Sequence, residues 1–358
     1  MILAAVLDTL VRNWAIVAIS ATVAVLILLS AIITARYIRI ALNIMRSTKP
    51  PFARNPLDFE PFQGEPIGFT AFDGLRLNGM MIKAPHDQPR RGLIVFAHEY
   101  CSDLYSCARY CRPLWEAGYD IFTFDFRNHG SSESETKYTP RQWVSDREKS
   151  DFRGALAYAK NWLEERGLPR EVGIFGVSRG ACAGLLAAAE DADIRAIVAD
   201  GAFSTDKTLE YLMERWAYIF ARVRLMYEPP IVWRFLRWIL VTFARVEFGC
   251  SFPSVRKAVA RMTPRPALFI HGEKDSYLPV EQSRLLYALA PQPKFLWIAT
   301  GARHNQAVLV DPKRYARLTT GFFDQYLAGL GPDQTLRAAT QPASALPEKQ
   351  RLVPELTR

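Results

Sequence analysis

Hydrophobic and polar positions along the chain first mark a long apolar segment near the N-terminus. No charged residue occurs from Asn13 to Ala35, and most side chains from Trp14 to Ile33 are alanine, valine, isoleucine or leucine. About twenty such residues at the helical rise match the hydrocarbon thickness of a bilayer. We therefore predict a membrane-spanning helix over residues 14–35, preceded by an N-terminal flank of residues 1–13.

Two other interpretations of the apolar segment stay open. A cleaved signal peptide has a shorter apolar core, a basic start and a cleavage site between small residues. Here Arg12 is the only basic residue before the segment, and Asp8 balances its charge. A buried helix of a soluble domain is the other alternative. We favour an uncleaved, single-pass anchor.

The charges that flank the segment predict its orientation. Five basic residues follow the segment before the first acidic residue, Asp58: Arg36, Arg39, Arg46, Lys49 and Arg54. Because basic residues are retained on the cytoplasmic side, the rest of the chain is expected in the cytoplasm, with an outward-facing domain as the alternative. The chain has five cysteines, an odd number without the spacing of a disulfide framework, which also favours a reducing compartment.

Beyond a basic, proline-rich linker at residues 36–65, strand and helix patterns alternate. Such alternation predicts an α/β domain, residues 66–330, with a mostly parallel central sheet and helices on both faces. Residues 204–263 form a helical insertion between two of its strands, broken at Pro229, Pro230 and Pro253. The tail, residues 331–358, is rich in proline, alanine, glutamine and threonine without periodicity, and is predicted to be disordered.

A serine between two glycines follows one of the predicted strands. The apolar stretch 171–175 leads into Gly176-Val177-Ser178-Arg179-Gly180, and a small-residue helix follows at 181–189. A strand-to-helix turn this sharp leaves no room for side chains beside the serine, and glycine at both flanks relieves the crowding. The free N–H groups of the new helix favour negative charge next to Ser178.

An aspartate and a histidine follow two later strands. Asp275 comes after the predicted strand that ends near Gly272, and His304 comes after the predicted strand 294–299. In a mostly parallel sheet these strand ends share one edge, so Ser178, Asp275 and His304 can converge there. A histidine can take the serine proton near neutral pH, and a carboxylate can fix the imidazole tautomer. We predict that the three form a catalytic triad.

With these motifs in place, the chain from about residue 66 to residue 330 resembles a serine hydrolase of the α/β-hydrolase superfamily. The order nucleophile, acid, base is that of the family. Four further stretches resemble the opening hairpin, the strand before the oxyanion loop, the strand and glycine turn before the serine, and the acid loop: residues 72–79, 93–98, 122–132 and 272–279. The resemblance implies an α/β-hydrolase fold in which the insertion 204–263 is a helical cap over the active site.

One position departs from the family pattern. The family usually carries His-Gly in the oxyanion loop, whereas this chain has His98-Glu99-Tyr100. If the loop keeps its course, the resemblance implies that the backbone N–H groups of Tyr100 and Arg179 hold the oxyanion. Glu99 must then point away or be paired, with Arg109, Arg127 and Arg179 as candidate partners. We expect Glu99 to brace the loop rather than to act directly.

Three hypotheses for the function follow. The first is a membrane-anchored serine hydrolase that cleaves an ester or thioester of an acyl or lipid-like substrate through an acyl-enzyme on Ser178. The second uses the same triad as a peptidase or an acyltransferase. The third is a non-catalytic binding protein on a hydrolase fold. None requires a cofactor or a metal; the neighbouring Cys101, Cys107 and Cys111 are interpreted as small apolar residues.

The insertion is unusually rich in aromatic residues and arginine, for instance at Trp233-Arg234-Phe235-Leu236-Arg237-Trp238. Helices of this composition suit a membrane interface, and anionic headgroups are the expected partner, although a well-packed cap with solvated arginines is the alternative. The net charge of +9 is explained by this insertion and the juxtamembrane residues, so a nucleic-acid partner is not expected. The sequence leaves the oligomeric state open.

Overall fold

The computed structural model describes residues 2–46, 59–221 and 230–332, with side chains at 11–46, 59–215 and 231–332. Most of the tail 331–358, the linker residues 47–58 and the aromatic side chains at Trp216, Tyr218, Phe220 and Tyr227 lie outside the described part. The chain divides into two units. One comprises Met1–Ser47 and Met213–Glu247, and the other comprises Thr48–Leu212 and Phe248–Arg358.

An eight-stranded sheet forms the centre of the larger unit. The strands are β1 Glu65–Thr70, β2 Arg76–Ile82, β3 Gly92–Ala97, β4 Tyr119–Phe124, β5 Val172–Val177, β6 Ile194–Asp200, β7 Ala267–Gly272 and β8 Lys294–Ala299. They lie side by side in the order β1-β2-β4-β3-β5-β6-β7-β8. The pairs β1–β2 and β2–β4 are antiparallel and all the others are parallel, which confirms the predicted mostly parallel sheet.

Helices cover both faces of the sheet, as predicted. They are α2 Cys107–Glu116, α3 Asp146–Glu164, α4 Arg179–Ala188, α7 Val255–Arg261, α8 Glu281–Leu289, α9 Ala307–Val310 and α10 Pro312–Tyr326. Helices α2 and α10 pack on one face, where Phe96 and Phe175 belong to the core; α3 and α4 pack on the other, where Gly184 lies against Ile174. Every residue of β4, β5 and β7 is buried, as expected for strands covered on both sides.

The insertion between β6 and β7 is helical, as the sequence predicts. It contains α5 Thr205–Ala221, α6 Pro230–Phe248 and α7. Pro230 occupies the start of α6, where a missing N–H costs nothing. Ser254 begins α7 by accepting a hydrogen bond from the backbone N–H of Lys257.

The N-terminal segment is one long helix, α1, which runs from Ile2 to Arg46. Within Val11–Arg46, an 18-residue window has a mean hydropathy of 2.9, and no residue of that window is buried. By length and composition this part of the helix can cross a membrane. A signal sequence passes the same test. The helix continues beyond the predicted end of the span at Ala35, so the first residues of the predicted linker are helical. Isoleucine, leucine, methionine and arginine are compatible with a helix, and no proline interrupts the chain before Pro50.

Candidate active site

The backbone at Ser178 turns sharply between β5 and α4. Ser178 has φ 52° and ψ −115°, a conformation that side-chain-bearing residues seldom adopt. A Cβ atom on Gly176 would lie 2.4 Å from Cα of Ala181, and one on Gly180 would lie 2.2 Å from the carbonyl oxygen of Ala97. Both glycines therefore allow the helix to start directly against the sheet, with Ser178 at its tip.

The structure brings Ser178, His304 and Asp275 together in one hydrogen-bonded line. Oγ of Ser178 lies 2.9 Å from Nε2 of His304, and Nδ1 of His304 lies 2.6 Å from Oδ2 of Asp275. An ionised carboxylate can only accept, so Nδ1–H donates to Asp275 and Nε2 is free to accept from the serine hydroxyl. All three side chains are buried, and the ring of Tyr277 contacts the edge of His304.

The Asp275 carboxylate is held in its ionised form. Burial alone would raise its pKa, but hydrogen bonds from His271 and His304 more than reverse this effect, and the pKa lies well below its ordinary value. Its second oxygen, Oδ1, accepts hydrogen bonds from the backbone N–H groups of Tyr277 and Leu278 at 2.9 and 2.8 Å. The acid loop thus fixes the carboxylate that faces His304.

Sequence reasoning missed His271, which faces Asp275 from β7. Its Nε2 lies 2.9 Å from the carbonyl oxygen of Leu278 and 3.3 Å from Oδ2 of Asp275. Both neighbours are acceptors, so Nε2 carries a proton, and Nδ1 lies 2.8 Å from Oγ of Ser283. A histidine at a strand end four residues before the acid was the available signal, but the sequence pattern alone places it only within the strand.

The two residues predicted to form the oxyanion hole lie at the same site. Tyr100 lines the cavity beside Ser178, in the loop that follows β3. Arg179 is the first residue of α4, so its backbone N–H has no acceptor within the helix. The side chain of Arg179 turns away from the serine: its Nη1 donates to the carbonyl oxygen of Arg141 at 2.9 Å and lies 3.5 Å from Glu148.

Glu99 is largely buried in the same loop, with its side chain 15% exposed. Its carboxylate accepts from Oγ of Ser106 at 3.3 Å and from the hydroxyl of Tyr110 at 3.5 Å, and Nη1 of Arg109 lies 4.0 Å away. Burial raises the pKa of Glu99, and its own backbone N–H, Arg109 and Ser106 only partly oppose the increase.

Arg109 is therefore the partner of Glu99 among the three candidates. Arg127 instead bonds to Asp73, Glu135 and Asp151, which join the loop after β4 to α3 and to the β1–β2 turn. The contacts of Glu99 with α2 agree with a bracing role for its side chain.

A second buried carboxylate lies at the end of β6. The backbone carbonyl of Asp200 accepts from the N–H of Ser178 at 2.7 Å, and its side chain accepts from the hydroxyl of Tyr315 at 2.8 Å. Burial raises the pKa of Asp200 to about 6, although Tyr315 opposes the shift. Asp200 thus supports the serine turn through its backbone carbonyl, and the burial of its carboxylate carries a cost in desolvation free energy.

The cavity beside Ser178 is small and mixed in polarity. Its volume is about 70 Å³, far below the roughly 300 Å³ at which pockets for drug-sized ligands begin. Its wall is formed by Glu99, Tyr100, Cys101, Ser102, Arg109, Gln142, Trp143, Ser178, Phe203, Tyr277, Leu278, His304, Asn305, Gln306 and Leu309. Trp143 Nε1 and Arg109 Nε are buried without a hydrogen-bond partner among the described residues, which carries a cost in desolvation.

Comparison with known proteins agrees with this architecture. Residues 92–239 match the family model for the alpha/beta hydrolase fold. The chain is 30% identical over 273 residues to the uncharacterized protein YqkD of Bacillus subtilis, covering 74% of this chain and 82% of that protein.

Solved structures of other proteins share the fold. The esterase Pf2001 of Pyrococcus furiosus is similar with a TM-score of 0.54 and 24% identity, over 78% of this chain and 100% of the esterase. The acylaminoacyl peptidase of Pyrococcus horikoshii is similar with a TM-score of 0.51 and 21% identity, over 76% of this chain and 43% of the peptidase. Together with the sheet order and the serine turn, the relatives show that the chain belongs to the α/β-hydrolase family.

Proposed function

We propose that the protein is a serine hydrolase that cleaves a carboxylic ester or thioester through an acyl-enzyme on Ser178. The observation that carries the proposal is the hydrogen-bonded line Ser178–His304–Asp275. Nε2 of His304 takes the hydroxyl proton as Oγ bonds to the acyl carbon, and the same proton then passes to the departing alcohol or thiol. A water molecule repeats the sequence, releases the acid and restores Ser178.

Negative charge on the acyl oxygen would be stabilised by backbone donors. The N–H of Arg179, at the N-terminus of α4, and the N–H of Tyr100 are the donors that we assign to this role. The helix dipole adds to the stabilisation because its positive end lies at the serine. The Arg179 side chain, held by Arg141 and Glu148, is not required for this step.

The size of the cavity favours a short acyl group. A volume of about 70 Å³ accommodates only a few non-hydrogen atoms, so a long acyl chain requires the site to widen. We therefore infer that acetyl to butyryl esters are better substrates than palmitoyl esters, and that selectivity for a lipid-like substrate comes from its alcohol or thiol part.

The apolar α1 is proposed to anchor the enzyme in a membrane. It is long enough to cross a bilayer, and the exposed side chains from Trp14 to Ile33 suit lipid better than water. The basic residues that follow it, among them Arg36 and Arg39, favour a cytoplasmic position for the hydrolase domain.

The full-length protein in lipid nanodiscs provides the test. Hydrolysis of p-nitrophenyl esters from acetate to palmitate is compared for wild type, Ser178→Ala and the control Ser150→Ala, which changes a serine on α3. We expect Ser178→Ala to lower kcat/KM by about a thousandfold or more, with the control near wild type. Fluorophosphonate should label wild type and not Ser178→Ala. Unchanged hydrolysis in Ser178→Ala would reject the acyl-enzyme on Ser178, whereas absence of both hydrolysis and labelling in wild type would favour a binding role.

A further inference from the structure

Helix α6 carries apolar residues on two opposite sides. One side is buried and contains Trp233, Leu236, Leu240 and Ala244. The other side is a stripe at helical spacing in which Ile231, Phe235, Trp238 and Val246 are each more than half exposed, with Thr242 between them. The rings of Phe235 and Trp238 stack on each other, with centroids 6.1 Å apart. A stripe of this composition in water is unfavourable, which points to an apolar environment.

The position of α6 beside α1 follows from two observations. The guanidinium of Arg46 pairs with Glu247, with Nη2 2.7 Å from Oε2. An apolar groove of about 560 Å³ lies between the two helices, and all its lining residues precede the ion pair in the chain. It is lined by Ser30, Ala31, Thr34, Ala35, Ile38, Arg39 and Leu42 of α1 and by Phe235, Ile239 and Phe243 of α6. Because both sets of groove residues precede the ion pair, the two helices run side by side in the same direction.

This alignment places the start of α6 at the depth of the proposed span. Phe235 and Thr34 each lie twelve residues before their end of the Arg46–Glu247 pair, so they are at about the same level. Ile231 then lies level with Ser30, among the residues expected in the hydrocarbon. The groove is continuous with the exposed apolar surface of α1.

Basic and aromatic residues of both helices gather at one level. Arg36 and Arg39 on α1, and Arg234, Arg237 and Trp238 on α6, lie within about two turns of the predicted end of the span. Tryptophan and arginine favour the boundary between hydrocarbon and headgroups. From residue 11 of α1 to residue 46, and along α6, Glu247 is the only acid, and it is paired with Arg46. The charge at this level is thus complementary to anionic phospholipid.

We propose that the first half of α6, residues 231–239, is embedded in the leaflet at the C-terminal end of the α1 span. A phospholipid acyl chain occupies the apolar groove, and its anionic headgroup lies at the arginines of both helices. Helix α6 is then an interfacial helix held by the anchor, and the hydrolase carries two membrane contacts. The proposal rests on the proposed anchoring by α1.

The test places an environment-sensitive fluorescent amino acid at single positions of the full-length protein. Positions 238 and 235 report on the stripe, position 257, an exposed lysine on α7 in the hydrolase domain, serves as the control outside the membrane, and position 25 reports on the α1 span. Liposomes of phosphatidylcholine with 30 mol% phosphatidylglycerol contain lipids with a doxyl quencher near the headgroup or deep in the chain. Iodide reports exposure to water.

We expect quenching by shallow doxyl lipid at positions 235 and 238 to exceed that at position 257 at least threefold, with the opposite order for iodide. Quenching by iodide at position 238 equal to that at 257 would overturn the proposal, and so would protection from both quenchers, which indicates a protein surface instead. Deep quenching at position 25 with none at 238 rejects the α6 proposal alone. Loss of quenching at position 25 rejects the anchor itself, and ester hydrolysis in the same samples reports separately on the active site.

The contribution of the headgroup is tested with Arg234→Glu and the control Arg261→Glu on α7, both on exposed arginines. Shallow quenching at position 238 should fall at least twofold in Arg234→Glu and stay unchanged in the control. Removal of phosphatidylglycerol should reproduce the fall in wild type. Equal quenching in all of these samples would contradict a role for anionic lipid.

Discussion

At Asp275, two histidines share one carboxylate. His304 donates to Oδ2 on the side of the serine, His271 faces the same oxygen from β7, and two backbone N–H groups occupy Oδ1. This arrangement keeps the carboxylate ionised in a buried site, where it can stabilise the imidazolium that forms during the reaction. The proposed mechanism therefore depends on its charge as well as on its position.

Replacing the charge at Asp275 tests this dependence. In Asp275→Asn the side chain can no longer accept from Nδ1–H with a full charge, and an amide N–H favours the wrong histidine tautomer. We expect kcat to fall about ten-thousandfold with little change in KM, measured by steady-state hydrolysis of p-nitrophenyl acetate. Asp324→Asn, on α10, is the control; an equal loss in both variants would refute the assignment.

The raised pKa of Asp200 predicts how the stability of the protein changes with pH. Its pKa is raised to about 6 in the folded protein from an ordinary value near 4, so the folded state holds this proton more tightly than the unfolded state. The associated stability is present below pH 4 and is lost as the pH rises through 6, by about 3 kcal/mol at most. Asp200→Asn keeps an acceptor for Tyr315 and removes this loss.

Thermal unfolding of wild type and Asp200→Asn between pH 4.5 and 8 measures the effect. The melting temperature of the variant should increase relative to that of wild type as the pH rises, and the difference between them should become constant above about pH 7. A difference that stays constant across the range would show that Asp200 keeps an ordinary pKa. Glu99, whose pKa is also raised by burial, is expected to change stability with the same sign.

At the scale of elements, the serine turn depends on how closely α4 approaches the sheet. The predicted crowding is visible at Gly180, where a methyl group would collide with the backbone of Ala97 rather than with a flexible side chain. Neither β3 nor α4 can move without disturbing the buried core on both sides. The glycine is therefore a requirement of packing as much as of the turn.

Gly180→Ala should consequently destabilise the domain. We expect a loss of about 2 to 4 kcal/mol in the free energy of unfolding, or failure to fold, because the backbone must shift. Gly68→Ala on β1, where nothing lies within 4 Å of the added methyl, is the matched control and should be neutral. Differential scanning fluorimetry measures the melting temperatures of both variants. Equal melting temperatures would contradict the close approach of α4 to the backbone of Ala97.

At the scale of the whole molecule, charge at the end of α1 predicts the side of the membrane. Basic residues outnumber acids between residues 36 and 54, whereas Arg12 and Asp8 balance before the span. A green fluorescent protein fused after Arg358 should fluoresce in a bacterial host, and alkaline phosphatase fused at the same place should be inactive. Active phosphatase in that fusion would place the hydrolase outside.

Much of the architecture was predictable from local patterns. Buried strands such as β8, Lys294–Ala299, appear in the sequence as continuous apolar runs with polar exits, and the glycines around Ser178 identify the turn between β5 and α4. The end of α1 was less predictable, because charged residues do not end a helix and no proline precedes Pro50. Element existence follows from periodicity, whereas boundaries depend on small energy differences at the ends.

By itself, the sequence determined the family, the parallel sheet, the apolar N-terminal helix and the order of Ser178, Asp275 and His304. These features are encoded in local periodicity and in short motifs. The tertiary structure decided which groups meet: His271 with Asp275, Asp200 beneath Ser178, Arg109 rather than Arg127 beside Glu99, and α6 alongside α1. Such contacts join residues far apart in the chain or turned toward each other by packing. Their distances, their burial and the resulting pKa shifts therefore exist only once the chain has folded.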